Sequence, residues 1–195
     1  RLQWRVVRND GAAPSLVSLI DLKNVFGRQL PKMPKEYIVR LVLDRYHTSL
    51  ACIFDGALVG GVTFRHHGTQ SFAEIAFCAV NATHQVRGYG TRLMNQLKEH
   101  AKREGIAYLL TYADNHAIGY FRKQGFHKQV TMKRARWLGY IKDYDGGTLM
   151  ECAIDHSVDY LAIRAQAEKQ RIAVLAKMST LTNAHVLHPG IDVRA

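Results

Sequence analysis

The segment Gln85-Val86-Arg87-Gly88-Tyr89-Gly90-Thr91 stands between an apolar run and a helical pattern, and its reading organises the rest of the chain. Upstream, Phe72-Ala73-Glu74-Ile75-Ala76-Phe77-Cys78-Ala79-Val80 reads as a mostly buried strand that holds one carboxylate. Downstream, Leu93, Met94, Leu97 and Ala101 recur at helical spacing, and the pattern stops near Gly105. A glycine loop that opens a helix presents unbonded N–H groups at the positive end of the helix dipole, a setting that favours an anion. Beside it, Glu74 sits among Phe72, Ile75 and Phe77. Apolar surroundings disfavour its charged form and move its pKa toward the roughly 6–7 useful to a general base. A phosphate cradle next to such a carboxylate points to an enzyme that holds a phosphorylated cofactor and moves a proton nearby. Taken singly, each feature has a plainer reading: the glycine pair as a flexible turn, the glutamate as a strand carboxylate paired with a surface arginine.

Outward from this centre the elements alternate. Gln3 to Val7 reads as a first strand, and Ser15 to Leu30 as a helix closed by Pro31. Pro34 begins a second, short helix with Tyr37, Ile38, Leu41 and Val42 on its apolar side. Ser49–Phe54 and Ala57–Arg65 form a hairpin through Asp55-Gly56. After the central loop and helix, Ala107 to Tyr112 is a strand, and Asp114 or Asn115 caps a short helix through Phe121 that Gly125 ends. Phe126 to Met132 and Thr148 to Ile154 read as late strands, and Val158 to about Met178 as a long amphipathic helix. The order predicts one mixed α/β domain over 1–195, with a central, mostly antiparallel sheet flanked by helices and 180–195 as a C-terminal extension. The turn after the Phe72–Val80 strand lies where open sheets bind ligands.

Composition narrows the classes. The chain has 195 residues, 47% hydrophobic and 22% charged, which are globular values. No apolar run approaches the ~20 residues of a membrane span. Its start, Arg1-Leu2-Gln3-Trp4, is unlike a signal peptide and reads as the boundary of a fragment. Cys52, Cys78 and Cys152 lie far apart in apolar runs, which predicts buried, reduced thiols in an intracellular protein. The ten histidines show no ligand spacing, and no metal site is expected. The net charge of +11 admits a nucleic-acid binder as well as a site for a polyanionic cofactor, but the basic residues form no single long block.

Four segments carry a likeness to a known family. They are Phe72-Ala73-Glu74-Ile75 with Cys78-Ala79-Val80; the loop Gln85 to Thr91; Leu110-Thr111-Tyr112-Ala113-Asp114-Asn115 with Gly119-Tyr120-Phe121; and Gly139-Tyr140-Ile141-Lys142-Asp143-Tyr144-Asp145-Gly146-Gly147-Thr148-Leu149-Met150. In these the chain resembles the catalytic domain of nuclear histone acetyltransferases of the PCAF type, within the GNAT superfamily, from about Leu22 to about Pro189. The resemblance implies the GNAT fold and acetyl transfer from acetyl-CoA, with CoA as product, to lysine ε-amines of histone tails, H3 among them. It also implies direct attack without an acyl-enzyme, a nuclear location and coactivator complex subunits as partners. Position by position, Glu74 falls on the general base, and Cys78, Ala79 and Val80 on a main-chain ledge along the pantetheine arm. Gln85, Val86, Arg87, Gly88, Tyr89, Gly90 and Thr91 fall on the pyrophosphate loop. Tyr120 and Phe121 fall along the cofactor arm, and the Lys142–Gly147 loop on peptide binding. The chain departs from the pattern at His116, where relatives carry tyrosine near the cofactor.

Each assignment has an alternative in the residues. Cys78 reads as a packing cysteine rather than a nucleophile, because nothing local lowers its pKa. Tyr112, Tyr120 and Phe121 read equally as core, with Tyr112 also a candidate for guiding the proton to water. Asp143, Tyr144, Asp145 and Gly146 read as substrate contacts or as an ordinary turn. A basic chain does not attract a basic tail, so the peptide contacts must be locally acidic or polar, or an accessory subunit must help. Arg164, Lys169, Arg171 and Lys177 on the last helix admit a weak nucleosomal DNA contact. The rival functions are a GNAT acting on another protein or a small amine, and a non-catalytic acetyl-CoA-binding module.

Overall fold

The computed structural model describes residues 1–85, 88–183 and 186–191. It falls into two compact units, Arg1–Ser157 and Val158–Ala195. In the first, six strands form one sheet in sequence order: β1 (Leu2–Arg8), β2 (His47–Phe54), β3 (Ala57–His67), β4 (Phe72–Val80), β5 (Tyr108–Ala113) and β6 (Thr148–Ala153). Every neighbouring pair is antiparallel except β4 and β5. The Asp55-Gly56 turn takes positive φ at both residues, the geometry a two-residue hairpin needs. The helices are α1 (Ala13–Gln29), α2 (Lys35–Val42), α3 (Tyr89–Arg103), α4 (Ile118–Lys123) and α5 (Arg134–Trp137).

The sheet is covered on both faces, which is why β4, apart from Glu74, is a continuous apolar run rather than alternating. On one face α1 and α2 pack Leu19, Leu22, Phe26, Ile38 and Val42 against Val7, Ala51 and Phe77. On the other, α3 buries Leu93, Met94, Leu97 and Ala101, and its His100 meets Phe64 of β3 at 5.6 Å.

A bulge in β4 couples these faces. Thr63 pairs with Phe77 but Phe64 with Ile75, so Ala76 is the extra residue. An extra residue reverses side-chain parity beyond it. Hence Phe77 shares the face of Phe72 and Glu74 and joins the α1 and α2 core, while Cys78 turns toward α4, where its Sγ lies 3.8 Å from the Tyr120 hydroxyl.

The β4–β5 pairing runs only from Phe72↔Tyr108 to Ile75↔Thr111. Thr111 marks the split with a 3.2 Å hydrogen bond from its hydroxyl to the Ile75 carbonyl. Beyond it the two strands part, and the main-chain groups of Ala76–Val80 on that side have no strand partner among the described residues.

Two expectations fail. The segment 126–132 forms no strand, only an isolated bridge between His127 and Glu151. The buried Glu151 carboxylate accepts the N–H groups of Thr131 (3.0 Å) and Met132 (2.9 Å). Those donors are satisfied without a ladder, so a loop suffices. In the second unit the helix α6 (Ile163–Ser179) begins five residues later than predicted, after Asp159 has taken the N–H groups of Leu161 and Ala162. It buries no residue; Ile163 and Ile172 lie on opposite sides of it at 100° per residue, so its apolar residues form no single face.

Candidate active site

Glu74 lies half-buried on β4, across from Arg65 of β3 and Leu110 of β5. Burial pushes its carboxyl up to about 7, and the Arg65 guanidinium opposes that rise. Among the described residues its carboxyl accepts no hydrogen bond and forms no ion pair. Desolvation without a compensating donor is what lifts a carboxylate pKa. Its charge reaches Tyr112 and Tyr144, helping to hold both phenols above their ordinary value.

Those two tyrosines wall a cleft of about 690 Å³ on the same side of the sheet. Its other walls are the segment Gln29–Pro34 with Tyr37, the turn Asp114–His116, and Lys142 with Asp145, Gly146 and Gly147. The Tyr37 and Tyr144 hydroxyls are hydrogen-bonded to each other, joining α2 to the 142–147 loop. Lys142 Nζ sits 5.8 Å from the centre of each of those rings. The loop closes on a turn in which Gly147 N–H donates to the Tyr144 carbonyl at 3.0 Å, with Gly146 at positive φ. Asp143 adds to the rise of the Tyr112 pKa, after burial. Glu74 lies outside the cleft wall, and only its field reaches in.

The other half of the site lies where β4 and β5 part. Gly88 occupies the position before α3 at φ 73°, a left-handed conformation that costs glycine little. Among the described residues no side chain caps α3, so the first amides of the helix keep their donors. A Cβ at Gly90 would stand 3.1 Å from the Tyr120 ring, and the Tyr120 hydroxyl donates to the Gly90 carbonyl at 2.9 Å. Tyr120 thus ties α4 to the start of α3 and touches Cys78. Burial, eased by the Tyr120 hydrogen bond, pushes the Cys78 thiol up to about 11, so it is a neutral packing group. Gln85 Nε2 donates to the Val80 carbonyl (3.0 Å) and to Gln29 (3.3 Å), pinning the loop to the end of β4. Tyr89 is buried beside Phe54 and His84, and Thr91 Oγ1 accepts from Gln124. Val86 and Arg87 lie outside the described residues.

The predicted residues therefore gather in two neighbouring places. Cys78, Ala79, Val80, Gln85, Gly88, Gly90 and Tyr120 meet at the split, while Tyr112, His116, Tyr144, Asp145 and Gly146 line the cleft. Phe121 belongs to neither opening: it is buried against Phe126, 5.1 Å between ring centres, and supports Tyr120 from behind. Asp114 is the residue that caps the turn before α4, its Oδ1 accepting the N–H groups of His116 and Ala117 at 2.8 Å each. Tyr37 is a cleft residue that the sequence does not single out, and Lys142 enters with its loop. Tyr37 reads as the apolar side of α2, and its partner lies 107 residues away.

The arrangement holds an ionisable carboxyl near neutrality, an open strand edge, and a helix start suited to an anion. Residues 18–126 match the family model described as the acetyltransferase (GNAT) family. The histone acetyltransferase GCN5 of Oryza sativa subsp. japonica is 53% identical over 193 residues, 98% of this chain and 38% of that protein. The chain spans between 38% and 43% of the length of the curated relatives it matches. The crystal structure of Tetrahymena GCN5 superposes with a TM-score of 0.79 at 58% identity, covering 81% of this chain and 99% of that one. The catalytic domain of Tetrahymena GCN5 in complex with coenzyme A superposes with a TM-score of 0.67 at 59% identity, covering 82% and 96%. With its split sheet, glycine loop and strand glutamate in place, the chain belongs to the GNAT acetyltransferase family.

Proposed function

We propose that this protein is a histone lysine acetyltransferase that moves an acetyl group from acetyl-CoA to lysine ε-amines of histone tails, H3 among them, in the nucleus and with coactivator subunits as partners. One observation carries the reading: a half-buried, unpaired Glu74 poised at about 7 beside the split of β4 and β5. A lysine ammonium, with a pKa of about 10.4, is no nucleophile until it loses a proton. A carboxylate poised near 7 is ionised enough at neutral pH to accept that proton and basic enough to take it efficiently.

The residues at the split fit acetyl-CoA. The uncapped amides from Gly88 to Thr91 suit the diphosphate, and the side-chain-free Gly90 admits it. The open edge of Cys78–Val80, apart from the Val80 carbonyl that Gln85 holds, offers main-chain groups to an amide-bearing arm. Bound there, the cofactor supplies an activated acyl thioester. Tyr120 keeps its hydroxyl proton on the Gly90 carbonyl, and burial holds its phenol well above the ordinary value, so its part is to shape the loop. On the cleft side Tyr112, Tyr144, Asp143, Asp145 and Gly146 receive the peptide, and His116 lines the same cleft. The raised thiol of Cys78 argues for direct attack over an acyl-enzyme.

The test is acetyl transfer to an H3 tail peptide beside spermine, for the wild type and Glu74→Gln. Transfer to the peptide alone, lost in the variant, supports the reading. Preference for spermine favours a small-amine enzyme, and CoA binding without transfer favours a non-catalytic module.

A further inference from the structure

The segment from Arg122 to Arg136 contains six of the chain's 27 basic residues and none of its 16 acidic ones, leaving +5 for the other 180 positions. More than half of the net charge is thus held in fifteen residues. Arg122, Lys123, Lys128, Lys133 and Arg134 are exposed, and none of them forms an ion pair among the described residues. Arg136 is engaged within the fold, bonded to the Gln70 carbonyl and set over the Tyr108 ring.

This run is held firmly. His127 exchanges main-chain hydrogen bonds with Glu151 on the outer edge of β6, at 2.8 and 2.9 Å. The buried Glu151 carboxylate then takes the amides of Thr131 and Met132. Phe126 and Met132 are buried anchors, and the segment carries no acidic residue, so its exposed Lys and Arg face solvent without an opposing charge in the run and with no large apolar side chain exposed between 122 and 136. A protein partner needs a desolvated, apolar centre to its contact. A phosphate backbone needs only fixed cations. Lys128 and Lys133 are separated by at most about 18 Å of chain, a length over which duplex DNA presents about ten phosphates.

We propose that this ridge binds the phosphate backbone of duplex DNA without reading its sequence. The inference rests on the histone reading for its purpose. A chain of +11 repels a basic tail in solution, and a contact with the polyanion that carries the tail offsets that repulsion.

The experiment uses the whole chain and a random-sequence duplex followed by fluorescence anisotropy between 50 and 200 mM salt. With five phosphate contacts, wild-type affinity falls about 500-fold across that range. The triple variant Lys128→Gln, Lys133→Gln, Arg134→Gln retains two, and its affinity falls only about 12-fold. Transfer to free H3 peptide is expected to be the same in both proteins, while transfer to nucleosomes drops in the variant. An unchanged salt slope overturns the proposal, as does tighter binding of poly-glutamate than of the duplex, which assigns the ridge to an acidic protein. Loss of free-peptide transfer in the wild type as well, with DNA binding intact, counts against the histone reading alone.

Discussion

Replacing Glu74 by glutamine separates the energetic role of this residue from its chemical one. In the folded chain the carboxyl is poised at about 7 against an ordinary value of 4.5. The folded state therefore holds its proton through a pH window in which the unfolded state has released it. Stability is complete below about 4.5, falls as pH rises through 7, and levels off about 3 kcal/mol lower. Glutamine stays neutral throughout and avoids this loss. Glu74→Gln is expected to unfold at a higher temperature than the wild type at pH 8, by roughly 6–12 °C for a chain of this size. At pH 4 the two are expected to melt together.

Activity moves in the opposite direction. Only the ionised carboxylate accepts a proton, so wild-type kcat/KM is expected to rise tenfold per pH unit below 7 and flatten above it. The variant has no base to titrate and is expected to lose about 10²–10⁴-fold in turnover, with CoA affinity unchanged. The assays are calorimetric melting at pH 4 and pH 8, CoA titration, and peptide acetylation from pH 5.5 to 9. A variant that melts lower at pH 8 refutes the desolvation argument. A variant that melts higher yet turns over normally refutes the role as base. Because one substitution is predicted to stabilise and inactivate together, general damage to the fold does not imitate the result.

The Arg65 guanidinium lowers the Glu74 pKa, so Arg65→Gln is expected to move the acid limb of the rate profile to higher pH; a shift to lower pH would show that Arg65 does not act on Glu74 as an opposing charge. Gly90→Glu forces a side chain against Tyr120 and a negative charge toward the proposed diphosphate site, and CoA affinity by titration calorimetry is expected to fall more than about 100-fold with the circular dichroism spectrum intact. Unchanged affinity there would remove the glycine loop from cofactor binding. Asp143→Asn with Asp145→Asn is expected to raise peptide KM while CoA affinity stays constant, and a KM that does not move would leave peptide selection to main-chain contacts.

Much of this architecture was legible because its signals are local. Asp55-Gly56 demands a hairpin, Pro31 ends α1, and the bounds of β4 were read residue for residue from an apolar run flanked by turn formers. Glu74 stood out because a carboxylate in such a run has to be explained. The bulge at Ala76 was not legible, since a strand buried on both faces shows no period-two pattern in which an extra residue registers as a slip. The loop over 126–132 was misread for a related reason: its apolar residues are anchors, and the groups that release it from a ladder belong to Glu151, about twenty residues on. The cleft was half visible. Tyr144 and Asp145 lie in a segment with a family likeness and His116 directly follows one, whereas Tyr37 enters the cleft only through a partner distant in sequence.

The two demands placed on β4 conflict, and the bulge is what reconciles them. A base near neutrality needs desolvation, which Glu74 obtains where β4 is flanked by strands on both sides. A ledge for an extended ligand needs the opposite, an edge whose main-chain groups have no partner. A flat strand paired to β5 along its length would bury Glu74 and leave no ledge. A strand unpaired along its length would expose the ledge and return the glutamate to its ordinary pKa. Ending the β5 pairing at Ile75, one residue before the extra Ala76, puts both environments on one strand, with Glu74 and Cys78 only about 13 Å apart by strand rise. The reversal of parity also returns Phe77 to the α1 and α2 core, so the parting of the strands does not open a cavity behind the base. Proximity between proposed base and ledge is therefore a property of the backbone, set by one inserted residue. Side-chain changes at Cys78 or Ala79 have little leverage over it.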